Sequence, residues 1–118
     1  MNFNQFLKNI ILVGFVFLSI SSFSQKILFV GNSLTYSNDL PKILEFIAKN
    51  SGKHIETKSL CYPNYAIIDH LNEGKIQQIL KNEEFDFVVA QQGPSSQPEG
   101  KKMLIEDGAK LKKLCNLY

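Results

Sequence analysis

The chain has 118 residues, of which 44% are hydrophobic and 20% are charged, a composition that supports one compact domain and excludes a disordered chain. Thirteen lysine and arginine residues stand against eleven aspartate and glutamate residues, so the formal net charge is +2. A charge so close to neutral argues against nucleic acid or an acidic membrane as the partner, because proteins that bind these surfaces carry clustered basic residues.

Residues 1–24 have the layout of a cleavable export signal. Lys8 supplies a positive charge, residues 10–18 form an apolar run, and residues 22–24 form a small-x-small cleavage site before Gln25. The apolar stretch has about half of the roughly 20 residues that a membrane-spanning helix requires. We therefore expect a protein that is periplasmic or secreted after cleavage of the signal, with no stable membrane span.

Strands and helices alternate after the leader. Residues 27–30 form a continuous apolar run, which is typical of a strand buried on both faces. A helix follows with Pro41 in its first turn, and a glycine within residues 51–53 ends it. Residues 54–60 predict a second strand, which we expect nearer the sheet edge because its charged and apolar residues alternate.

The second half continues this alternation. Residues 67–80 predict a second helix that Gly74 weakens without breaking, residues 86–90 predict a third strand buried on both faces, and residues 99–116 predict a third helix. The pattern predicts an α/β fold, a three-layer α/β/α sandwich around a parallel sheet with right-handed crossovers. Three strands make a thin sheet with an exposed edge, so we expect residues 25–118 to be the N-terminal part of a larger domain that is incomplete at the C-terminus.

The turn formed by Gly31, Asn32 and Ser33 directly follows the first predicted strand. Ligands of α/β proteins bind beyond the carboxyl ends of the strands, so Ser33 is a candidate nucleophile. A capped strand-to-helix turn explains the same residues, because small polar side chains there satisfy free backbone donors. A third interpretation is an anion cradle in which Ser33, Thr35, Ser37 and the following helix hold a phosphate.

Four stretches of the chain together resemble the SGNH, or GDSL-type, superfamily of serine hydrolases, in a bacterial subgroup with a Gly-Asn-Ser first block. They are residues 27–35, 38–41, 69–70 and 85–92. The resemblance runs from Lys26 to the C-terminus and implies a flavodoxin-like fold and ester hydrolysis by a serine, with an oxyanion hole assembled from the ends of three successive strands. It implies an exported esterase or acylhydrolase for a small-molecule or carbohydrate ester, with neither a cofactor nor a metal.

The resemblance also assigns the catalytic groups to positions in this sequence. Ser33 matches the nucleophile, and its backbone N–H is one oxyanion donor. Asn64 stands where the family has a glycine N–H, and asparagine tolerates a positive φ better than most residues. The side-chain donor of the third block is an asparagine in the family, and here Gln91, Gln92 and Ser95 remain alternatives for it.

The family's general base has no counterpart in this sequence. Its last block places an aspartate and a histidine three residues apart, and no Asp-x-x-His occurs here. We expect His54 to lie on the surface at the far end of a strand and His70 to be a packed or capping histidine. The resemblance therefore implies a hydrolase truncated before this block and inactive as this chain. The alternatives are a non-catalytic remnant or binding module with a flavodoxin-like fold and, less favoured, a phosphate or nucleotide binder.

Overall fold

A computed structural model describes residues 24–94 and 96–118, so the predicted export signal lies outside the described residues except for Ser24. The elements in chain order are β1 (Ser24–Gly31), α1 (Ser33–Tyr36), α2 (Leu40–Asn50), β2 (His54–Cys61), α3 (Ile67–Glu73), α4 (Lys75–Asn82), β3 (Phe87–Ala90) and α5 (Pro98–Cys115). The strands form one parallel sheet in the order β2-β1-β3, which confirms the predicted α/β class and the edge position of β2. Within the described residues, none of the helices combines the length and the apolar character needed to span a bilayer.

The hydrophobic core lies on one face of this sheet, against α3, α4 and α5. Leu28 and Val30 of β1 are in register with Val88 and Ala90 of β3, so all four side chains point to the same face. The buried members of the core are Leu28, Val30, Leu60, Ile67, Ile76 and Leu111. Each such side chain contributes about 1.5–3 kcal/mol when it leaves water, so this layer provides most of the driving force for folding.

Helix α2 covers the opposite face of the sheet. The Glu45 carboxylate accepts hydrogen bonds from the Thr57 N–H at 2.8 Å and from the Thr57 hydroxyl at 2.7 Å. Thr57 is in register with Ile27, whose side chain lies on the face opposite to Leu28 because neighbouring side chains in a strand alternate. Helices therefore lie on both faces of the parallel sheet, as a flavodoxin-like arrangement requires.

The prediction that the third strand is buried on both faces is wrong. On the α2 side of the sheet, Phe87 and Val89 of β3 are 52% and 42% exposed. On α2, which covers the same face of the sheet, Leu40, Ile43 and Ile47 are also exposed. We call these exposed apolar residues on the α2 side of the sheet the open face, and they are Leu40, Ile43, Ile47, Phe87 and Val89.

A single glycine divides the second predicted helix. Gly74 has a φ of 76°, in the left-handed region, and it separates α3 from α4. The prediction that Gly74 weakens residues 67–80 without breaking the helix is therefore wrong. Glycine enters this region without a steric penalty, so it ends one helix and starts the next in another direction.

Candidate active site

Three loops converge where the parallel strands end. Residues 32–34, 64–66 and 92–94 line a cleft of about 330 Å³. The first loop follows β1, the second follows β2 and the third follows β3, because parallel strands carry their carboxyl ends to one edge. The cleft brings together Ser33, Asn64 and Gln92 from the predicted site.

Asn32 shapes the turn that presents Ser33. Its side chain is buried, and its Oδ1 accepts a hydrogen bond from the Leu34 N–H at 3.0 Å, which begins the four-residue helix α1. The Thr35 N–H donates to the Asn32 carbonyl at 3.0 Å. These bonds occupy two donors that an anion cradle would require. The Ser33 N–H, in contrast, has no hydrogen-bond partner among the described residues.

Gln91 supports this turn from behind. Its Oε1 accepts hydrogen bonds from the Asn32 N–H and from the Thr35 hydroxyl, both at 3.1 Å. Its Nε2 donates to the carbonyl of the next residue. A Cβ atom on Gly31 would lie 2.6 Å from the Thr35 hydroxyl oxygen and 2.9 Å from the Gln91 Oε1, so only glycine fits there without a shift. Gln91 therefore holds the turn and does not line the cleft.

The side chain of Gln92 forms its hydrogen bond with α3 and not with the Ser33 turn, unlike that of Gln91. It is buried, and its Oε1 accepts a hydrogen bond from the Ile67 N–H at 3.0 Å. This bond fixes the amide and leaves the Gln92 Nε2 without a partner among the described residues, and Gln92 is one of the residues that line the cleft. The geometry therefore favours Gln92 over Gln91 as a side-chain donor, while Ser95 lies outside the described residues.

The loop after β2 is held by aromatic packing. Asn64 has a φ of 61°, and its N–H has no hydrogen-bond partner in the part of the chain that the structure describes. The Tyr65 hydroxyl donates to Glu73 at 2.5 Å, and this hydrogen bond raises the pKa of Tyr65 above its ordinary value. The rings of Tyr62 and Tyr65 lie 5.8 Å and 5.0 Å from the His70 ring.

His70 packs beneath the Ser33 turn. It is 1% exposed, and its Nε2 lies 2.8 Å from the Gly31 carbonyl oxygen. A carbonyl can only accept, so Nε2 carries the proton, and Nδ1 is buried with no partner among the described residues. His70 is thus a packed histidine, as predicted. The sequence analysis did not predict the hydrogen bond of His70 to the Gly31 carbonyl. A lone polar residue on the apolar side of a helix indicates such a buried partner.

Neither histidine is placed as a general base for Ser33. The ring of His70 is committed to the Gly31 carbonyl. His54 is exposed at the start of β2, at the opposite end of the sheet, where its Nδ1 lies 2.7 Å from the Ser24 hydroxyl. The surface position predicted for His54 is confirmed.

A second cleft of about 490 Å³ adjoins the first and shares Asn64 and Tyr65 with it. Asp69, Asn72 and Glu73 line its other side, so its surface is rich in amide, phenol and carboxylate groups. These groups form hydrogen bonds with hydroxyl groups of a ligand. The two clefts together form one site beside Ser33 and a neighbouring polar site.

Other reactive groups near the cleft are few. Cys61 at the end of β2 is a free thiol, and burial raises its pKa, so it remains protonated and weakly nucleophilic at neutral pH. In residues 24–94 and 96–118, no group of three or more His, Cys, Asp and Glu side chains could hold a metal ion.

No family model matches this chain, and no curated protein or solved structure is significantly similar to it.

Proposed function

We propose that Ser33 is the nucleophile of an SGNH-type ester hydrolase site. The proposal is supported by one observation above all, the cleft at which Ser33, the left-handed Asn64 and the free amide of Gln92 meet. Acyl transfer requires a nucleophile and hydrogen-bond donors aimed at the oxyanion of the tetrahedral intermediate. The Ser33 N–H, the Asn64 N–H and the Gln92 Nε2 supply three donors.

The reaction proceeds in two steps. The Ser33 Oγ attacks the ester carbonyl carbon, the new Oγ–C bond forms, and the bond to the alcohol oxygen breaks as the alcohol leaves. The hydroxyl proton passes to a base in the solvent and the departing alkoxide oxygen takes a proton from water, because both imidazoles are engaged elsewhere. Water then hydrolyses the acyl-serine. Without a positioned base both steps are slower by orders of magnitude, although oxyanion donors retain part of the rate.

The chain therefore holds the nucleophile and the oxyanion donors, and the proton-transfer groups of the family belong to the Asp-x-x-His block that this sequence lacks. We propose that this chain by itself turns over esters negligibly. A non-catalytic binding module is the second candidate, because the His70 Nε2 is committed to the Gly31 carbonyl and not to Ser33.

The substrate we propose is an acylated carbohydrate outside the cytoplasm. The acyl group occupies the cleft at Ser33, and the polar lining of the adjoining cleft fits the hydroxyl groups of a sugar. Export follows from the predicted signal in residues 1–24, which makes the mature protein periplasmic or secreted.

Acetylation by p-nitrophenyl acetate tests the nucleophile. Peptide mass spectrometry should find acetyl groups on Ser33 far above those on the exposed Ser37, because only Ser33 lies beside oxyanion donors. The adduct should accumulate, since deacylation has no base to assist it. Ser33→Ala should abolish this signal, and the matched control Ser37→Ala should leave it unchanged.

The assignment of the nucleophile and the negligible turnover proposed for this chain are each contradicted by a different result. Equal acetylation of Ser33 and Ser37 in the folded protein would reject the nucleophile and support a binding module. Fast, steady turnover that depends on Ser33 would reject the conclusion that the chain lacks a working base.

A further inference from the structure

We propose that Asn32 is a positioning residue that ties the Asn64 loop to the Ser33 turn, a role that requires an uncharged amide. The consequence for catalysis rests on the function proposed for this cleft. Asn32 is 6% exposed, and its Nδ2 donates to the Tyr65 carbonyl at 2.9 Å. The same side chain begins α1 through its Oδ1.

The orientation of this amide is unambiguous because its two partners have opposite character. The Leu34 N–H can only donate, and the Tyr65 carbonyl can only accept. A reversed amide would set two donors against each other at Leu34 and two acceptors against each other at Tyr65. Position 32 therefore needs one acceptor and one donor on the same planar group.

The Tyr65 carbonyl is an effective place to hold this loop. The two ends of the loop are fixed by the N–H groups of Tyr62 and Ala66. Asn64 itself makes no hydrogen bond with the described residues. The Tyr65 N–H closes a turn around Asn64 by donating to the Tyr62 carbonyl at 3.3 Å, and the bond from Asn32 to the Tyr65 carbonyl ties this turn to the Ser33 turn.

An aspartate at position 32 cannot make this connection while it is ionised. A carboxylate in place of Asn32 keeps the acceptor for Leu34 but turns its second oxygen toward the Tyr65 carbonyl oxygen. Two buried acceptors then face each other without a proton between them. Protonation of that carboxyl supplies the missing donor. Burial raises the pKa of the carboxyl above the ordinary value of aspartate.

The variant N32D should therefore have a distinctive pH profile. At pH 7 we expect the ¹⁵N–¹H resonances of Asn64 and Tyr65 to be displaced from their native positions. Between pH 7 and pH 4 they should return as the introduced carboxyl gains its proton. The rate of Ser33 acetylation at pH 7 should fall about tenfold to a hundredfold, the effect of a misplaced oxyanion donor.

Asn82 offers a matched control at the end of α4. Its Nδ2 donates to the Gln78 carbonyl at 2.8 Å, so N82D removes the same kind of donor at a nearly equal distance, away from the cleft. We expect N82D to leave the Asn64 and Tyr65 resonances and the acetylation rate unchanged. If N32D does not fold at pH 7, N32S keeps an acceptor for Leu34, cannot reach Tyr65, and should displace the same resonances at every pH.

Native resonances of Asn64 and Tyr65 in N32D or N32S at pH 7 would overturn the proposal. Displaced resonances in N32D that do not return on acidification would also overturn it, because a general loss of stability has no such recovery. The resonances report on the loop whether or not Ser33 reacts. A failure of the hydrolase proposal would therefore appear in the acetylation alone.

Discussion

Gly31 is the last residue of β1, and the side chains of Thr35 and Gln91 leave no room for a Cβ atom on it. We expect Gly31→Ala to lower the free energy of unfolding by about 1–3 kcal/mol, because one of these side chains must move and break its hydrogen bond. Urea denaturation measures this change. Gly93→Ala is the control, since a Cβ there meets no atom within 4 Å and should change the stability by less than about 0.5 kcal/mol. Equal unfolding midpoints for the two variants would contradict the assignment.

Single residues of the cleft were predicted to different degrees. The position of Ser33 followed from its place after an apolar strand, and the left-handed backbone of Asn64 agrees with the tolerance of asparagine for this region. The choice between Gln91 and Gln92 could not be made from the sequence. Adjacent residues in a loop point in different directions, and here the directions are set by hydrogen bonds to distant residues, Asn32 for one and Ile67 for the other.

At the scale of elements, one carboxylate links α2 to the edge of the sheet. The ion pair with Lys42 at 2.8 Å and the two hydrogen bonds from Thr57 hold the pKa of Glu45 at about 2, well below its ordinary value of 4.5. The ionised form therefore stabilises the fold above about pH 4.5, and this contribution is lost as the pH falls toward 2.

The variant Glu45→Gln keeps an oxygen for Thr57 but removes the charge. We expect it to lower the free energy of unfolding by roughly 1 kcal/mol at pH 6, a modest value because solvent screens a partly exposed pair. The difference from the natural chain should shrink as the pH is lowered from 4.5 to 3. Urea denaturation across this range measures it, with Glu84→Gln at an exposed site as the control. A difference that does not depend on pH would show that the charge of Glu45 has no part in the link.

Local sequence patterns predicted the order and type of the main strands and helices, but they did not predict the break between α3 and α4. The runs at residues 27–30 and 54–60 became β1 and β2 with small changes of boundary. The break at Gly74 was missed because helical periodicity continues through it. A periodic pattern records which residues are apolar, whereas a left-handed glycine is selected by the path that the chain must take to pack both helices.

For the whole molecule, the open face is the main departure from a closed three-layer sandwich. Its five apolar side chains are exposed, and exposed apolar surface on this scale can mark a contact site or cause association. The exposure of β3 could not be predicted from the sequence, because an apolar strand has the same pattern of residues whether or not a helix covers it. Helix α2 sits toward β2, which leaves β3 uncovered on that side.

An environment-sensitive dye can test the open face. Anilinonaphthalene sulfonate should bind the folded protein and gain fluorescence, because apolar surface is accessible. Replacing both Phe87 and Val89 by serine should remove most of this signal. Leu117→Ser is the control, since Leu117 is 75% exposed but lies outside the open face. Equal fluorescence from the double variant and the control would show that the dye does not bind at β3.

The cleft is complete only after distant parts of the chain have folded together. Its hydrogen bonds join residues far apart in the chain, since Asn32 is 33 residues from Tyr65 and 59 residues from Gln91. A chain still being synthesised that has not reached Gln91 contains Ser33 as an ordinary serine in an unfinished sheet. Under the proposed function, reactivity would begin only when the third strand docks, and an acetyl group on Ser33 would mark a molecule that has folded.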